Sequence, residues 1–557
     1  SIIDDLEILE TKDGSPCLAD RVFNTHTDAE KVARNHLASN YTWNKHFIED
    51  TQTLLTDSSF EGELSKDASN AYSCWCDIQQ ESDFVNKYHF IDWKWASRLN
   101  SIPHIMQASS LYHLTAPVIS LMIPIIMLFV PFIILRAKGT SLDIGEYTNA
   151  LKHVFKRHMI GKLFTEFGSG GWDKRVYLIV SVFFYLAQIY QNIATCIRFH
   201  SNIQSVHSVF DKLEKHLEGS IGRLRALKDK CKKLSSYEKF ADSLDSQLSR
   251  ESSMLDTFQS LPRFRPTPGG VTRIGKAMST FYNLKYKPDY VDTLSRSFAL
   301  SSYMHIMYSI QTKIGEGTMA IPKIADNTFL VDARFPAMSD NGTQDIIVND
   351  IGIKQNVLIT GPNASGKTTL LKTVLCNNIL AQQIGAGTYR KGSIRPYEYF
   401  HCYINIPDTS GRDSLFQAEA RRCVDILHHM SVNRDSTHLC IFDELYSGTN
   451  PHEAISCGTA FLKHLCKNEK VSFMLTTHFS HVCNKLKKIK NIRNVQMEVV
   501  EIYDPKLHAS EPIDFRYTFK CKPGISRVKG GIKVLRDLQY PSSILKDATK
   551  IIRSISI

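Results

Sequence analysis

The run Thr360-Gly361-Pro362-Asn363-Ala364-Ser365-Gly366-Lys367-Thr368-Thr369 limits the surrounding fold more tightly than any other stretch of this chain. It satisfies G-x-x-x-x-G-K-[ST], with Gly361, Gly366, Lys367 and Thr368 at the fixed positions. Such a loop needs a strand before it and a helix after it. Asn356 to Thr360 reads as a short buried strand, and Thr369 to Leu380 reads as a helix. Glycines let the backbone wrap a phosphate, and the helix N-terminus offers N–H donors to the anion. The whole loop, Gly361 to Thr369, is the expected nucleotide-binding segment. Lys367 is placed against the β- and γ-phosphates, and Thr368 is a Mg²⁺ ligand.

A second element completes that chemistry. Thr437 to Phe442 is an apolar strand ending in Asp443-Glu444. Asp443 is expected to hold Mg²⁺, directly or through water, and Glu444 to orient and deprotonate the attacking water. The next strand, Val471 to Thr477, ends at His478, which is positioned to sense the γ-phosphate. ATP and Mg²⁺ are therefore the expected ligands.

At 557 residues the chain exceeds one compact core. Four segments are expected: a mainly helical region 1–110, a hydrophobic region 111–200, a helical core or lever region 201–320, and an α/β domain 321–557. The net charge of +11 suits nucleic acid or an anionic membrane surface and does not choose between them. The thirteen cysteines lack a paired C-x-x-C, so they read as reduced thiols of a cytosol-facing protein rather than a zinc framework.

No charged residue occurs from Leu99 to Leu135, and Leu111 to Leu135 is strongly apolar. A helix of that length reaches about 37 Å, enough for a tilted membrane crossing. Pro117, Pro124 and Pro131 recur every seven residues, a pattern that membrane helices tolerate better than soluble ones. A second uncharged run spans Val176 to Ile197. The expectation is a membrane hairpin, with a re-entrant Pro-kinked first segment or a single spanning segment as the ways to reconcile its topology. The basic loop from Arg136 to Arg175 argues against placing it outside the cytosol. The alternative is that both runs are buried core.

The motifs resemble the ATPase domain of the MutS DNA mismatch repair family. The loop has the family's T-G-P-N form. Asp443-Glu444-Leu445-Tyr446-Ser447-Gly448-Thr449 matches D-E-x-x-x-G-T, and Thr477-His478-Phe479 matches T-H-[FY]. Arg334-Phe335-Pro336 and Val348-Asn349-Asp350 are similar to R-H-P and P-N-D. Gly411 to Glu419 is similar to G-x-S-T-F-x-x-E, with one extra residue after the glycine and Leu415 for Thr. The resemblance implies that Ser414 reaches a partner subunit's ATP in trans. It also implies that Tyr517 to Ile552 forms a closing helical pair that clasps that subunit. The triplets Phe47-Ile48-Glu49 and Phe164-Thr165-Glu166 fit the family's DNA-wedging F-x-E only by letter, and neither lies in a suitable domain.

The fold implied is a C-terminal α/β P-loop NTPase domain of MutS/ABC-like type, preceded by an all-α lever-like domain and a hydrophobic helical region. The function implied is an ATPase that closes a homodimer or MutS-like heterodimer, binds duplex DNA, and is held at a membrane through 111–135 and 176–197 with the ATPase facing the cytosol. One alternative is a soluble DNA-binding clamp in the cytoplasm or nucleoid. Another is an ABC-type transporter half, against which no L-S-G-G-Q stretch precedes the acidic strand.

Overall fold

The computed structural model describes residues 2–11, 14–57, 66–137, 144–157, 171–261, 273–338, 346–404, 414–502, 514–528 and 530–554. Two compact units emerge. One comprises Leu64–Arg225 and Leu244–Phe298; the other comprises Ser1–Glu63, Ala226–Ser243 and Ala299–Ile557. The first 110 residues thus divide between the two.

The first unit is helical. It contains α1 (Pro103–Ala137), most of α2 (Trp172–Cys231), part of α3 (Glu238–Gln259), α4 (Ile274–Tyr286) and the start of α5 (Pro288–Gly315). Its core is aromatic. Phe84, Phe199, Phe210, Phe258 and Phe281 are all buried, and the rings of Phe84 and Phe281 stack at 5.3 Å. Trp75 joins this core against Phe298, whereas Trp93 and Trp95 stack on each other and stay exposed.

One glycine sets how closely α1 and α4 approach. Gly275 N donates to Gln107 Oε1 at 2.9 Å. A Cβ at 275 would overlap the Pro103 carbonyl oxygen and stand 2.5 Å from Gln107 N. Backbone cannot yield there as a flexible side chain would. Gly275→Val is expected to destabilise the helical unit by about 1–3 kcal/mol. Thermal or urea unfolding followed by circular dichroism checks this; an unchanged midpoint would contradict the close approach.

The first hydrophobic run lies in α1, which is continuous through Pro117, Pro124 and Pro131. Thr115 and Ser120 turn their hydroxyls onto the Leu111 and Ala116 carbonyls, a common helix-interior use of such side chains. The second run opens α2, which passes without a break from the apolar stretch into the amphipathic one, across the 200/201 boundary read from sequence. Asn192 donates to Ser120 Oγ, and Cys196 Sγ lies 3.5 Å from the Leu114 carbonyl, so the two runs lie antiparallel. Much of their apolar surface is unburied: Val118, Leu121, Phe129, Phe183, Phe184 and Leu186 are all more than half exposed. Among the described residues, one helix is long and apolar enough to cross a membrane, the stretch of α2 from Arg175.

The second unit carries two sheets. The smaller has the order β1 (Lys323–Ile324), β5 (Lys391–Ile394), β2 (Thr328–Ala333), β3 (Asn349–Ile353). The larger has the order β10 (Asp514–Pro523), β9 (Ile492–Ile502), β4 (Asn356–Thr360), β8 (Val471–Thr477), β7 (His438–Asp443), β6 (Tyr399–Tyr403). All its neighbours are parallel except β10 against β9. A parallel sheet is covered on both faces, so its strands read as unbroken apolar runs; every residue of β4 and β8 is buried. Around it lie α6 (Lys367–Ile384), α7 (Leu415–Val432), α8 (Pro451–Leu465), α9 (Ser480–Leu486) and α10 (Gly531–Asp537), and α11 (Ser542–Ser554) packs on α10. Tyr517 to Pro523 is therefore strand, not the opening of a helical pair. The helices start only at Gly531, because the alternating 514–523 segment completes the sheet edge.

The N-terminal residues of this unit strap onto the same body. Gln382 and Gln383 of α6 donate to the carbonyls of Thr42 (3.0 Å) and Ala38 (2.8 Å), and Tyr41 OH donates to the Glu398 carbonyl at 2.8 Å. Phe47, of the first F-x-E triplet, packs against the Tyr237 ring. The second triplet lies outside the described residues.

Candidate functional site

Strand order determines where chemistry can gather. In register, Thr360 at the end of β4 pairs with Thr477 of β8, and Asp443 at the end of β7 pairs with Thr476. The C-terminal ends of three parallel strands therefore open onto one crevice, the usual ligand position in such sheets.

Residues 361–366 connect β4 to α6. The turn needs left-handed backbone at Ala364 (φ 59°) and Gly366 (φ 93°). No side chain caps α6, so its first N–H groups are left for another partner. Lys367 folds back over the loop, donating to the Gly361 and Pro362 carbonyls, each at 3.1 Å. The Pro362 carbonyl also accepts from Ser365 Oγ at 2.7 Å. Lys367 is 5% exposed, and burial pulls its pKa down while the Glu444 and Asp443 charges oppose that shift.

The acidic residues face this loop. Thr368 Oγ1 donates to Asp443 Oδ2 at 2.8 Å, and Thr476 Oγ1 donates to Asp443 Oδ1. Glu444 sits at φ 54°, a left-handed conformation costly for a non-glycine residue. Its N–H is held by the Thr476 carbonyl (3.1 Å) and Oγ1 (3.2 Å). His478 Nε2 donates to Glu444 Oε1 at 2.6 Å. That hydrogen bond holds the Glu444 carboxyl below its ordinary range, against burial. The same Nε2 is 3.5 Å from Lys367 Nζ, so lysine, histidine and glutamate meet at one point.

Two cavities flank the loop. The larger, about 780 Å³, is lined by Asn363 to Leu370 and Glu444, with Arg21, Phe335, Met338, Ile347 and Phe519 opposite. The smaller, about 200 Å³, is lined by Thr360 to Asn363, Thr477, His478 and Gly530. A Cβ on Gly530 would stand 2.5 Å from Pro362 Cβ, so the segment before α10 presses directly on the loop. Asn349 fastens β10 to the same edge, donating to the Phe519 carbonyl (3.0 Å) and accepting from Cys521 N (2.7 Å).

Gly361 to Thr369, Asp443, Glu444 and His478 thus converge. Ser414 lines neither cavity of its own chain. It caps α7, accepting from Gln417 N at 3.3 Å while Ser414 N donates to Gln417 Oε1. Gly411 to Asp413, the rest of that motif's start, lie outside the described residues. Two residues not singled out from sequence belong here. Buried Glu419 of α7 accepts from Ser447 N and Oγ and from Gly448 N (3.0–3.1 Å), locking α7 to the turn that follows Glu444. Its signal was the closing glutamate of the 411–419 pattern. Arg21 reaches the larger cavity from the N-terminal strap, where no local pattern announces it.

A crevice at strand ends, a glycine loop entering a helix and a threonine–aspartate–glutamate–histidine cluster define the site. Residues 357–556 match the family model described as MutS domain V. Mouse MutS protein homolog 4 is 30% identical over 248 residues, covering 42% of this chain and 24% of that protein. Endonuclease MutS2 of Streptococcus equi subsp. equi is 28% identical over 234 residues, covering 41% and 28%. DNA mismatch repair protein MSH2 of Saccharomyces cerevisiae is 27% identical over 232 residues, covering 40% and 23%. Through this C-terminal region the chain is similar to MutS-family proteins. It spans about a quarter of the length of these curated relatives.

Proposed function

We propose that the chain is a Mg²⁺-dependent ATPase that binds ATP in the larger cavity and couples its hydrolysis to closing and reopening a MutS-like dimer. The carrying observation is the convergence of Lys367, Thr368, Asp443, Glu444 and His478 across three chain segments. The residues fit the ligands. A cavity of about 780 Å³ holds a nucleotide, the uncapped start of α6 suits phosphate, and its apolar wall of Phe335, Met338 and Phe519 suits a base.

Gly361 to Thr369 would wrap the phosphates and Lys367 would turn from the loop carbonyls to the β- and γ-oxygens. Thr368 and Asp443, already hydrogen-bonded, would hold Mg²⁺. When bound, Mg²⁺ neutralises charge on the phosphate oxygens. Glu444, kept ionised by His478, accepts a proton from the water that attacks the γ-phosphorus, as the bond to ADP breaks. Ser414, at the exposed start of α7, is available to a partner's nucleotide. Phosphate release from ATP, measured with Mg²⁺ and then with EDTA, tests this reading; equal rates in both would overturn it.

His478→Ala removes the hydrogen bond that lowers the Glu444 pKa. A base with a raised pKa loses activity at higher pH on acidification. The acid limb of the kcat/KM–pH profile should therefore move to higher pH, and an unmoved limb would contradict the positioning role.

Duplex DNA is the proposed partner, supported by the MutS resemblance and the net charge of +11. A membrane anchor is supported by the exposed apolar residues of α1 and α2 and by the continuity of α1 through its prolines. In this reading the ATPase faces the cytosol. Carbonate extraction of membranes should leave the chain in the pellet; release into the supernatant would favour the soluble clamp.

A further inference from the structure

We propose that His401, His429 and His438 form a Zn²⁺ site on the side of the sheet remote from the nucleotide crevice. The three come from separate elements. His401 lies in β6, His438 opens β7, and His429 lies in the last turn of α7. In the parallel β6–β7 pair, Tyr399 stands opposite His438, and His401 opposite Cys440. Side chains alternate along a strand, so His401 shares a face with Tyr399 and hence with His438. The end of α7 lies over that face, bringing the His429 ring to 5.3 Å from His401 and 6.3 Å from His438.

One candidate ligand atom from each of the three imidazoles lies within 4.8 Å of the others. His401 Nε2 and His438 Nδ1 are 3.0 Å apart. That is close to the roughly 3.3 Å separation of two ligands on a tetrahedral zinc with Zn–N of about 2.0–2.1 Å. The tautomers follow from the hydrogen bonds. His438 Nε2 lies 3.0 Å from the Asn433 carbonyl, which can only accept, so Nε2 carries the proton and Nδ1 carries the lone pair. A histidine whose outer N–H is held by a backbone carbonyl is the arrangement that orients metal ligands. His401 Nε2 then donates to His438 Nδ1. On metal binding, Zn²⁺ replaces that proton between the rings, and His401 carries it on Nδ1 instead.

The surroundings suit a cation of intermediate softness. His438 is fully buried and its ring is stacked on Tyr399. The donor set is imidazole nitrogen, which Mg²⁺ and Ca²⁺ do not favour and Zn²⁺ does, with water completing the fourth position. Because α7 is capped by Ser414 at its start and carries His429 in its last turn, the metal would pin the far end of this helix to the sheet edge. That assignment stands independently of nucleotide binding.

The test uses full-length protein, metal-stripped and titrated with Zn²⁺ against a chromophoric chelator in excess Mg²⁺. One Zn²⁺ per chain is expected. His429→Gln, at an exposed position that should not disturb folding, is expected to weaken binding at least about tenfold. Zn²⁺ should raise the Tm of the unsubstituted chain and not that of His429→Gln. Cobalt-loaded protein should show visible bands of a four-coordinate nitrogen site, absent in the variant. No binding overturns the proposal, and so does binding that His429→Gln leaves unchanged, which would place the metal elsewhere.

Discussion

Glu444→Gln should bind ATP within about threefold of the unsubstituted chain and lose turnover by about 10²–10⁴-fold. The amide keeps the shape and can still meet His478, but it cannot take a proton from water. The backbone of Glu444 is held by Thr476 and not by its own carboxylate, so the substitution leaves the left-handed turn in place. Binding without turnover should also trap the closed dimer. Filter binding, single-turnover phosphate release and light scattering separate these outcomes. Near-normal turnover would remove Glu444 from the role of base.

Lys367→Ala is the second large effect and strikes a different step. Its ammonium is the cation buried inside the loop, and hydrogen bonds to charged groups are worth about 1.5–3 kcal/mol each. Losing two of them to phosphate oxygens should weaken ATP binding by roughly 10²-fold or more. In the protein without nucleotide the same nitrogen bridges the Gly361 and Pro362 carbonyls. The variant therefore also loosens the loop, and limited proteolysis around 361–366 should report it. Equal ATP affinity in the variant would mean that this loop does not hold the phosphates.

The residues legible in the sequence are those carried by contiguous motifs. Asn356–Thr360, His438–Asp443 and Val471–Thr477 were readable because parallel strands buried on both faces leave unbroken apolar runs, each leading directly into functional residues: the Gly361 loop, Asp443-Glu444 and His478. Long-range packing was not readable. Nothing near Arg21 tells that it lines the same cavity as Lys367, or that Gly530 presses on Pro362. Gly275 looks like any helix glycine until Pro103 is found against it. His401, His429 and His438 come from three separate elements and form no contiguous motif; they meet only because β6 and β7 pair in one register with α7 across them. Tyr517 to Pro523 was misjudged for a related reason: an edge strand is defined by its neighbour, β9, more than by its own pattern.

The central claim is that the Gly361–Thr369 loop and the Asp443–Glu444 pair hold one Mg²⁺–nucleotide between them. A crystal structure with Mg²⁺ and a non-hydrolysable ATP analogue tests it most directly. The expected result is a triphosphate along Asn363 to Thr369, with Lys367 on its terminal phosphates and the metal beside Thr368 and Asp443. A nucleotide bound elsewhere, or one that leaves Lys367 on the loop carbonyls and Asp443 untouched, would contradict the claim.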